Sequence, residues 1–161
     1  MAYWYIAGVF VALCFSGVIL FGAPYLPTLR QQRKVALELL NLKKGQTLIE
    51  PGSGDGRVLA EAAQKGINCI GVEMNPILVL ASLIITRKYR KNVKIVWGNF
   101  WHKDWSDADG IFLFLMDRHI GKFDKKMRSL PKKRRLVASF AYKIPKKRIL
   151  KEKDGVFLYE Y

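Results

Sequence analysis

Acidic residues are scarce in this chain, cysteine and histidine scarcer still, and no charged side chain occurs before Arg30. Thirteen Asp and Glu stand against 28 Lys and Arg, giving a formal net charge of +15 over 161 residues. Two cysteines, Cys14 and Cys69, are too few for a disulfide framework or a thiolate metal site, which fits a reducing compartment. Neither is placed to act as a covalent nucleophile. The two histidines, His102 and His119, lack partners at metal-ligand spacing, so no metal site is expected. Internal repeats and low-complexity tracts are absent. The length suits one domain of ordinary size, and an apolar content of 50% is enough for a buried core once the first two dozen residues are set aside.

The missing charge at the N-terminus has a direct reading. Tyr3 to Gly22 is almost wholly apolar, and about 20 such residues in a helix cross a hydrocarbon layer of roughly 30 Å. Tyr3, Trp4 and Tyr5 suit one membrane interface and Tyr25 the other. A cleaved signal peptide would want a basic start and a small-residue cleavage site, and neither is present. A buried helix of the globular part would want a polar stripe. Residues 1–23 are therefore expected to be a retained transmembrane helix. Arg30, Arg33 and Lys34 follow at once, which places the remainder in the cytoplasm by the positive-inside rule. From Arg118 to Lys153 basic residues far outnumber the acids Asp124 and Glu152. Such a face favours anionic partners, with a merely solvated basic surface as the plainer reading.

Beyond the connector Pro24-Tyr25-Leu26-Pro27, strand and helix patterns alternate. Thr28 with Gln31 reads as a capping box for a helix to about Leu42, stopped at Lys43-Lys44-Gly45-Gln46. Strands are expected at Thr47–Glu50, Cys69–Glu73, Val93–Trp97, Ile111–Leu115 and Leu136–Phe140. Helices are expected from Arg57 to about Lys65, from Pro76 to Tyr89 with Asn75 as its cap, and from about His119 to Leu130. Arg148 to Tyr161 reads as a hairpin turning at Asp154-Gly155. The sum is an α/β fold, a Rossmann-like and mostly parallel sheet with an antiparallel terminal hairpin, preceded by one transmembrane helix.

The informative stretch is Glu50-Pro51-Gly52-Ser53-Gly54-Asp55-Gly56-Arg57. Glycines at alternate positions after a buried strand let the backbone turn tightly and approach a ligand. The dinucleotide pattern Gly-x-Gly-x-x-Gly would need glycine where Arg57 stands, so a pyrophosphate is not implied. Glu50 ends the first strand, where a carboxylate can meet a ligand amino group. Glu73 ends the second, where an acid can take the hydroxyls of a ribose.

This constellation resembles the first two motifs of class I methyltransferases. The resemblance implies S-adenosylmethionine as cofactor, with Glu50, Gly52, Ser53, Gly54 and Gly56 around its methionine part, and Glu73, Met74 and Asn75 at its ribose. Asn99 stands where the family has an acid or amide for the adenine amine, and Phe100 and Trp101 either face the ring or belong to the core. The chain is more closely similar to the membrane-anchored protein-lysine methyltransferases of the ATP synthase c subunit and the adenine nucleotide translocase. It shares with them Pro24-Tyr25-Leu26-Pro27-Thr28, Gly52-Ser53-Gly54-Asp55-Gly56-Arg57, Glu73-Met74-Asn75-Pro76 and Asn99-Phe100-Trp101. Two features depart from that pattern: Asn99 replaces the usual acid, and Met116-Asp117-Arg118-His119 does not follow it.

That resemblance implies that residues 24–161 form a methyltransferase domain acting on an amine, with a lysine of a membrane-associated protein first and a lipid amine or small amphiphile second. Tyr25, a catalytic candidate, and Thr28 would fold over the methionine end; otherwise they are connector and cap. Asp117 either faces the transferred methyl as a catalytic group or caps the following helix. Anionic lipid and a protein with an accessible lysine are the expected partners. The Asn/Asp-Pro-Pro-Tyr/Phe motif of adenine or glutamine-amide methylation is absent, and although the basic C-terminal third leaves nucleic acid open, the anchor argues more for the membrane surface. A non-catalytic, cofactor-binding membrane adaptor is the alternative from a different class.

Overall fold

The computed structural model describes residues 3–6, 8, 9 and 26–161. Among these residues seven strands form one sheet in the order β3-β2-β1-β4-β5-β7-β6. They are β1 (Thr47–Pro51), β2 (Asn68–Glu73), β3 (Val93–Trp97), β4 (Gly110–Leu113), β5 (Leu136–Phe140), β6 (Lys151–Lys153) and β7 (Val156–Glu160). The first five run parallel, while β7 lies antiparallel to both β5 and β6. Asp154 and Gly155, at φ 49° and 75°, turn the terminal hairpin as their types predict. Strand order reverses direction between β1 and β4, which opens a crevice beyond their C-terminal ends.

The described helices that cover the sheet are α1 (Arg30–Leu40), α2 (Arg57–Ala63), α3 (Pro76–Thr86) and α4 (Asp117–Ser129). Strand alternation sorts the core into two layers. Leu48, Cys69, Phe112, Ala138 and Leu158 point to one side, against Leu37 and Leu40 of α1 and Val58 and Leu59 of α2. Ile49, Ile111, Leu113, Val137 and Tyr159 point to the other, against Ile120, Phe123 and Met127 of α4 and the fully buried Trp105.

Several boundaries differ from the sequence expectation. Thr28 and Gln31 form no capping box: α1 begins at Arg30 with Leu29 as an N-cap that offers no side chain. Gln31 instead donates from Nε2 to Asp154 at 3.1 Å, joining α1 to the hairpin turn. The helix stops at Asn41, which takes the left-handed conformation at φ 44°, ahead of the expected glycine. The third helix ends at Thr86 and continues as a 3₁₀ turn, Arg87–Tyr89. Strand β4 ends at Leu113 rather than Leu115, and α4 begins at Asp117 rather than His119. Among the described residues no helix is long and apolar enough to cross a membrane. The span expected over residues 1–23 falls almost wholly outside those residues, as does Cys14.

Candidate functional site

The crevice between β1 and β4 is a cavity of about 510 Å³, of the size that holds a small ligand. Its floor comes from the β1–α2 loop. Gly52 and Ser53 both donate backbone N–H bonds to the Val72 carbonyl, at 2.8 and 3.2 Å, so the loop folds back across the end of β2. Gly52 has φ 73° and lines the cavity, and a Cβ built there meets nothing nearer than a Phe100 ring carbon at 4.0 Å. Gly56, at φ 77°, serves a different end. A Cβ on it would stand 2.9 Å from Ser82 Cβ and 3.2 Å from Thr86 Cγ2. Its lack of a side chain lets α2 and α3 approach, and it is not among the lining residues.

Two carboxylates end the adjacent strands. Glu50 closes β1, is 5% exposed, and keeps Oε2 buried without a hydrogen-bond partner. Burial first, then the carboxylates of Asp55 and Glu73, raise its carboxyl well above the usual range, against the lowering influence of Arg33. Ser53 Oγ is likewise buried and unpartnered. Glu73 closes β2 and is committed to backbone: Oε2 accepts from Gly54 N–H at 2.9 Å, and Oε1 from Met74 and Asn75 N–H at 2.8 Å each. It thereby ties the glycine loop to the end of the neighbouring strand. Asp55 pairs with Arg57, whose Nε lies 2.9 Å from both carboxylate oxygens.

The opposite wall is apolar. Asn99 accepts from Trp101 N–H at 3.0 Å and so starts the 3₁₀ turn Phe100–His102. Phe100 and Trp101, with ring centroids 4.7 Å apart, line the cavity and also pack on the Trp105 layer, so the choice between ligand wall and core resolves as both. Phe114, Leu115 and Met116 after β4, and Ala141 and Tyr142 after β5, complete the wall. Leu26, Pro27 and Thr28 close over it from the connector. Arg33 holds that connector, donating from Nη1 to the Thr28 carbonyl at 2.7 Å while its Nε pairs with Glu61 at 3.1 Å.

Of the residues singled out in the sequence, Thr28, Glu50, Gly52, Ser53, Gly54, Glu73, Met74, Asn99 and Phe100 come together on this cavity. Asn75 is fully buried and caps α3, accepting from Ile77 N–H at 2.9 Å. Asp117 is exposed in the first turn of α4, outside the lining, and no side-chain cap bond forms there. Tyr25 lies outside the described residues. His119, given no role in the sequence beyond lacking metal-ligand partners, reaches the cavity from α4, its ring 6.1 Å from that of Trp101. Burial, then Arg118 and Lys122, lower its pKa. Leu26, Met116, His119 and Tyr142 carried no local signal, because they converge from three separate segments: the connector, the start of α4 and the loop after β5. Among the described residues no cluster of His, Cys, Asp and Glu could hold a metal ion.

The arrangement fits a cationic amino-acid nucleoside. Three carboxylates gather in an otherwise basic chain, one with a buried oxygen still to be satisfied, and aromatic rings form the facing wall. Comparison with known proteins points the same way. A family model for the ANTKMT methyltransferase domain matches residues 50–151. The human lysine N-methyltransferase of the ATP synthase c subunit is 30% identical over 120 residues, 71% of this chain and 50% of that protein. The chain thus spans about half the length of that relative. A protein-lysine N-methyltransferase of Saccharolobus islandicus is 29% identical over 84% of this chain and 92% of its own. An RNA methyltransferase of Salinibacter ruber, solved with S-adenosyl-L-homocysteine, superposes with a TM-score of 0.77 at 22% identity. It covers 84% of this chain and 92% of its own, and at that identity the likeness is one of fold.

Proposed function

The chain belongs to the ANTKMT methyltransferase domain family, and from that membership we propose that it methylates a lysine side chain of a membrane-associated protein, using S-adenosylmethionine. The observation that carries the cofactor is the buried, unpartnered Glu50 Oε2 in the same cavity as Glu73 and the glycine loop. The lysine acceptor is supported by the human and archaeal relatives, both named as lysine N-methyltransferases.

When bound, S-adenosylmethionine supplies a methyl group made electrophilic by its sulfonium. The chain's part is to bind, align and keep the site dry. Glu50 would accept from the ammonium of the methionine end, and forming that bond would favour its ionised state. Glu73, already held by three backbone N–H groups, accepts from the ribose hydroxyls. Phe100 and Trp101 would hold the adenine, with Asn99 at its amine. A lysine amine must be neutral to attack in line, and the apolar wall of Phe114, Leu115, Met116 and Tyr142 favours the neutral form by excluding water. Positioning of this kind supplies most of what the transfer needs.

The same proposal takes residues 1–23 as a single-pass anchor and the catalytic domain as facing the cytoplasm. It rests on the uncharged run before Arg30 and the basic residues after it. Placing the site near an anionic lipid surface would bring it to lysines on short loops of membrane proteins. The test is calorimetric titration of the detergent-solubilised chain with S-adenosylmethionine, with NAD and Glu73→Ala as controls, then labelled-methyl transfer to membrane fractions. Binding that Glu73→Ala abolishes, followed by label in protein lysine, is expected. Absence of binding to folded protein would sink the proposal. Label in lipid alone would move the acceptor to a lipid amine.

A further inference from the structure

Helix α3 is built inside out. Its sequence, Pro-Ile-Leu-Val-Leu-Ala-Ser-Leu-Ile-Ile-Thr, turns Ser82 and Thr86 inward, where they are 0% and 3% exposed. Both hydroxyls are satisfied within the helix, Ser82 donating to the Val79 carbonyl at 2.8 Å and Thr86 to the Ser82 carbonyl at 2.7 Å. They sit inward where Gly56 brings α2 so close to α3 that at these two positions only small side chains fit. Apart from Leu78, which stays inward at 8% exposed, the large aliphatic residues face outside: Leu80 is 60% exposed, Leu83 50% and Ile84 59%. Ile77, Leu80 and Ile84 recur at three- and four-residue spacing, which makes one continuous stripe.

The surroundings of that stripe say what covers it. Trp97 of edge strand β3 stands beside its N-terminal end, 66% exposed, with its ring nitrogen donating to the Met74 carbonyl at 3.0 Å. An indole with its N–H satisfied and its ring in the open suits a lipid–water boundary. At the other end Arg87, Lys88, Arg90 and Lys91 are all exposed and no acid intervenes. A shallow depression also brings Ile85 together with Arg30 and Lys34 of α1, the first basic turn after the uncharged N-terminal run; the one acid lining it, Glu61, is paired with Arg33. The C-terminal end of the stripe, next to the cation cluster, thus lies beside the first basic turn of α1. An apolar face bordered by cations matches an anionic bilayer, with acyl chains for the stripe and headgroups for the Arg/Lys cluster.

We propose that the α3 face, Leu80, Leu83 and Ile84 with Trp97 and the Arg87–Lys91 cluster, lies against an anionic membrane as a second contact besides the N-terminal anchor. This deepens the tethered reading and rests on it. Because Met74 and Asn75 join the cavity rim to α3, the contact fixes the active-site mouth relative to the bilayer instead of leaving it to swing on the connector.

The full-length chain carrying Cys14→Ser and Ile84→Cys, labelled with an environment-sensitive dye, tests it in vesicles of phosphatidylcholine and phosphatidylglycerol that contain nitroxide-bearing lipid. Cys69 is buried and stays unlabelled, and Lys125→Cys on the opposite face of the sheet is the control. Expected are a blue shift and strong quenching for the Ile84→Cys and Leu80→Cys labels, no change for Lys125→Cys, and reduced quenching when phosphatidylglycerol is omitted. Vesicle flotation separates the two ideas. A chain that floats while its α3 labels stay water-exposed refutes the contact and leaves the anchor standing. Failure to float refutes both. A blue shift without lipid quenching means that protein, either the chain's own N-terminal segment or a second copy, covers the stripe, and the lipid proposal is overturned.

Discussion

Gly52 and Gly56 share a backbone conformation, φ 73° and 77°, yet replacement by alanine should act on different properties. Forcing an L-residue into the left-handed region costs roughly 1–2 kcal/mol at either position. At Gly52 little more is lost from the fold, because the new methyl meets nothing closer than Phe100 Cε1 at 4.0 Å. At Gly56 it would stand 2.9 Å from Ser82 Cβ and 3.2 Å from Thr86 Cγ2. Both atoms are rooted in the α3 backbone, so the helix must move, at a typical overpacking cost of about 1–3 kcal/mol. Gly56→Ala is therefore expected to destabilise by about 2–5 kcal/mol and Gly52→Ala by about 1–2 kcal/mol. Binding should reverse the order. The Gly52 methyl projects into the cavity, and a penalty of about 1.4 kcal/mol there weakens cofactor affinity tenfold, whereas Gly56→Ala retains affinity in whatever fraction stays folded. Urea unfolding followed by far-ultraviolet circular dichroism, and calorimetric titration of the same proteins, read both quantities. Equal stability losses would refute the steric argument. An unchanged affinity in Gly52→Ala would refute the placement of the loop against the ligand.

Three further outcomes follow from the geometry. Glu50→Gln should stabilise the cofactor-free protein at neutral pH and weaken binding at least tenfold, since a charge-assisted bond of about 1.5–3 kcal/mol is lost. The folded-state pKa of Glu50 is raised, so the native protein holds the proton longer than the unfolded chain, and wild-type stability falls as pH rises above the ordinary carboxylate value. Thermal unfolding across pH should show that slope in wild type and lose it in Glu50→Gln. Arg33→Ala, which frees the Thr28 carbonyl and breaks the partly buried pair with Glu61, should cost about 1–3 kcal/mol and lower cofactor affinity through the loosened connector. Tyr161→Phe removes the 2.5 Å bond from the phenol to Asp124 Oδ1 and should cost about 1–3 kcal/mol. Burial raises the Asp124 pKa, but the bonds from Tyr161 and Arg128 outweigh it and hold the carboxyl low. Its contribution is present above the unfolded pKa and lost as pH falls through the folded one, and acid unfolding of Tyr161→Phe should show less of that loss.

Much of this molecule is written locally. The strands β3 and β5 begin and end where apolar pattern places them, the hairpin turns at Asp154-Gly155, and Asn75 caps α3 ahead of Pro76. The reason is that each feature depends on contacts within a few residues. Glu50, the glycine loop and Glu73 were legible for the same reason, because a strand end followed by a tight turn has a short signature. The failed capping box at Thr28 shows the limit of such signatures: the pattern was present, but Gln31 found Asp154, which stands 123 residues away, a better partner.

What only the tertiary structure decided is how distant segments meet. Sequence marked Gly56 as part of a ligand loop, and the packed fold uses it to bring α2 against α3. That closeness forces Ser82 and Thr86 inward and Leu80, Leu83 and Ile84 out. No reading of α3 by itself could find this, because an aliphatic helix with two hydroxyls looks like one that buries its leucines. The cavity wall is of the same kind, drawn from the connector, β4, α4 and β5, and the unsatisfied oxygen of Glu50 exists only once those walls exclude water. Local propensity chose the elements of this protein, while steric fit between them chose which faces meet, which lie open and which carboxylate is left waiting for a partner.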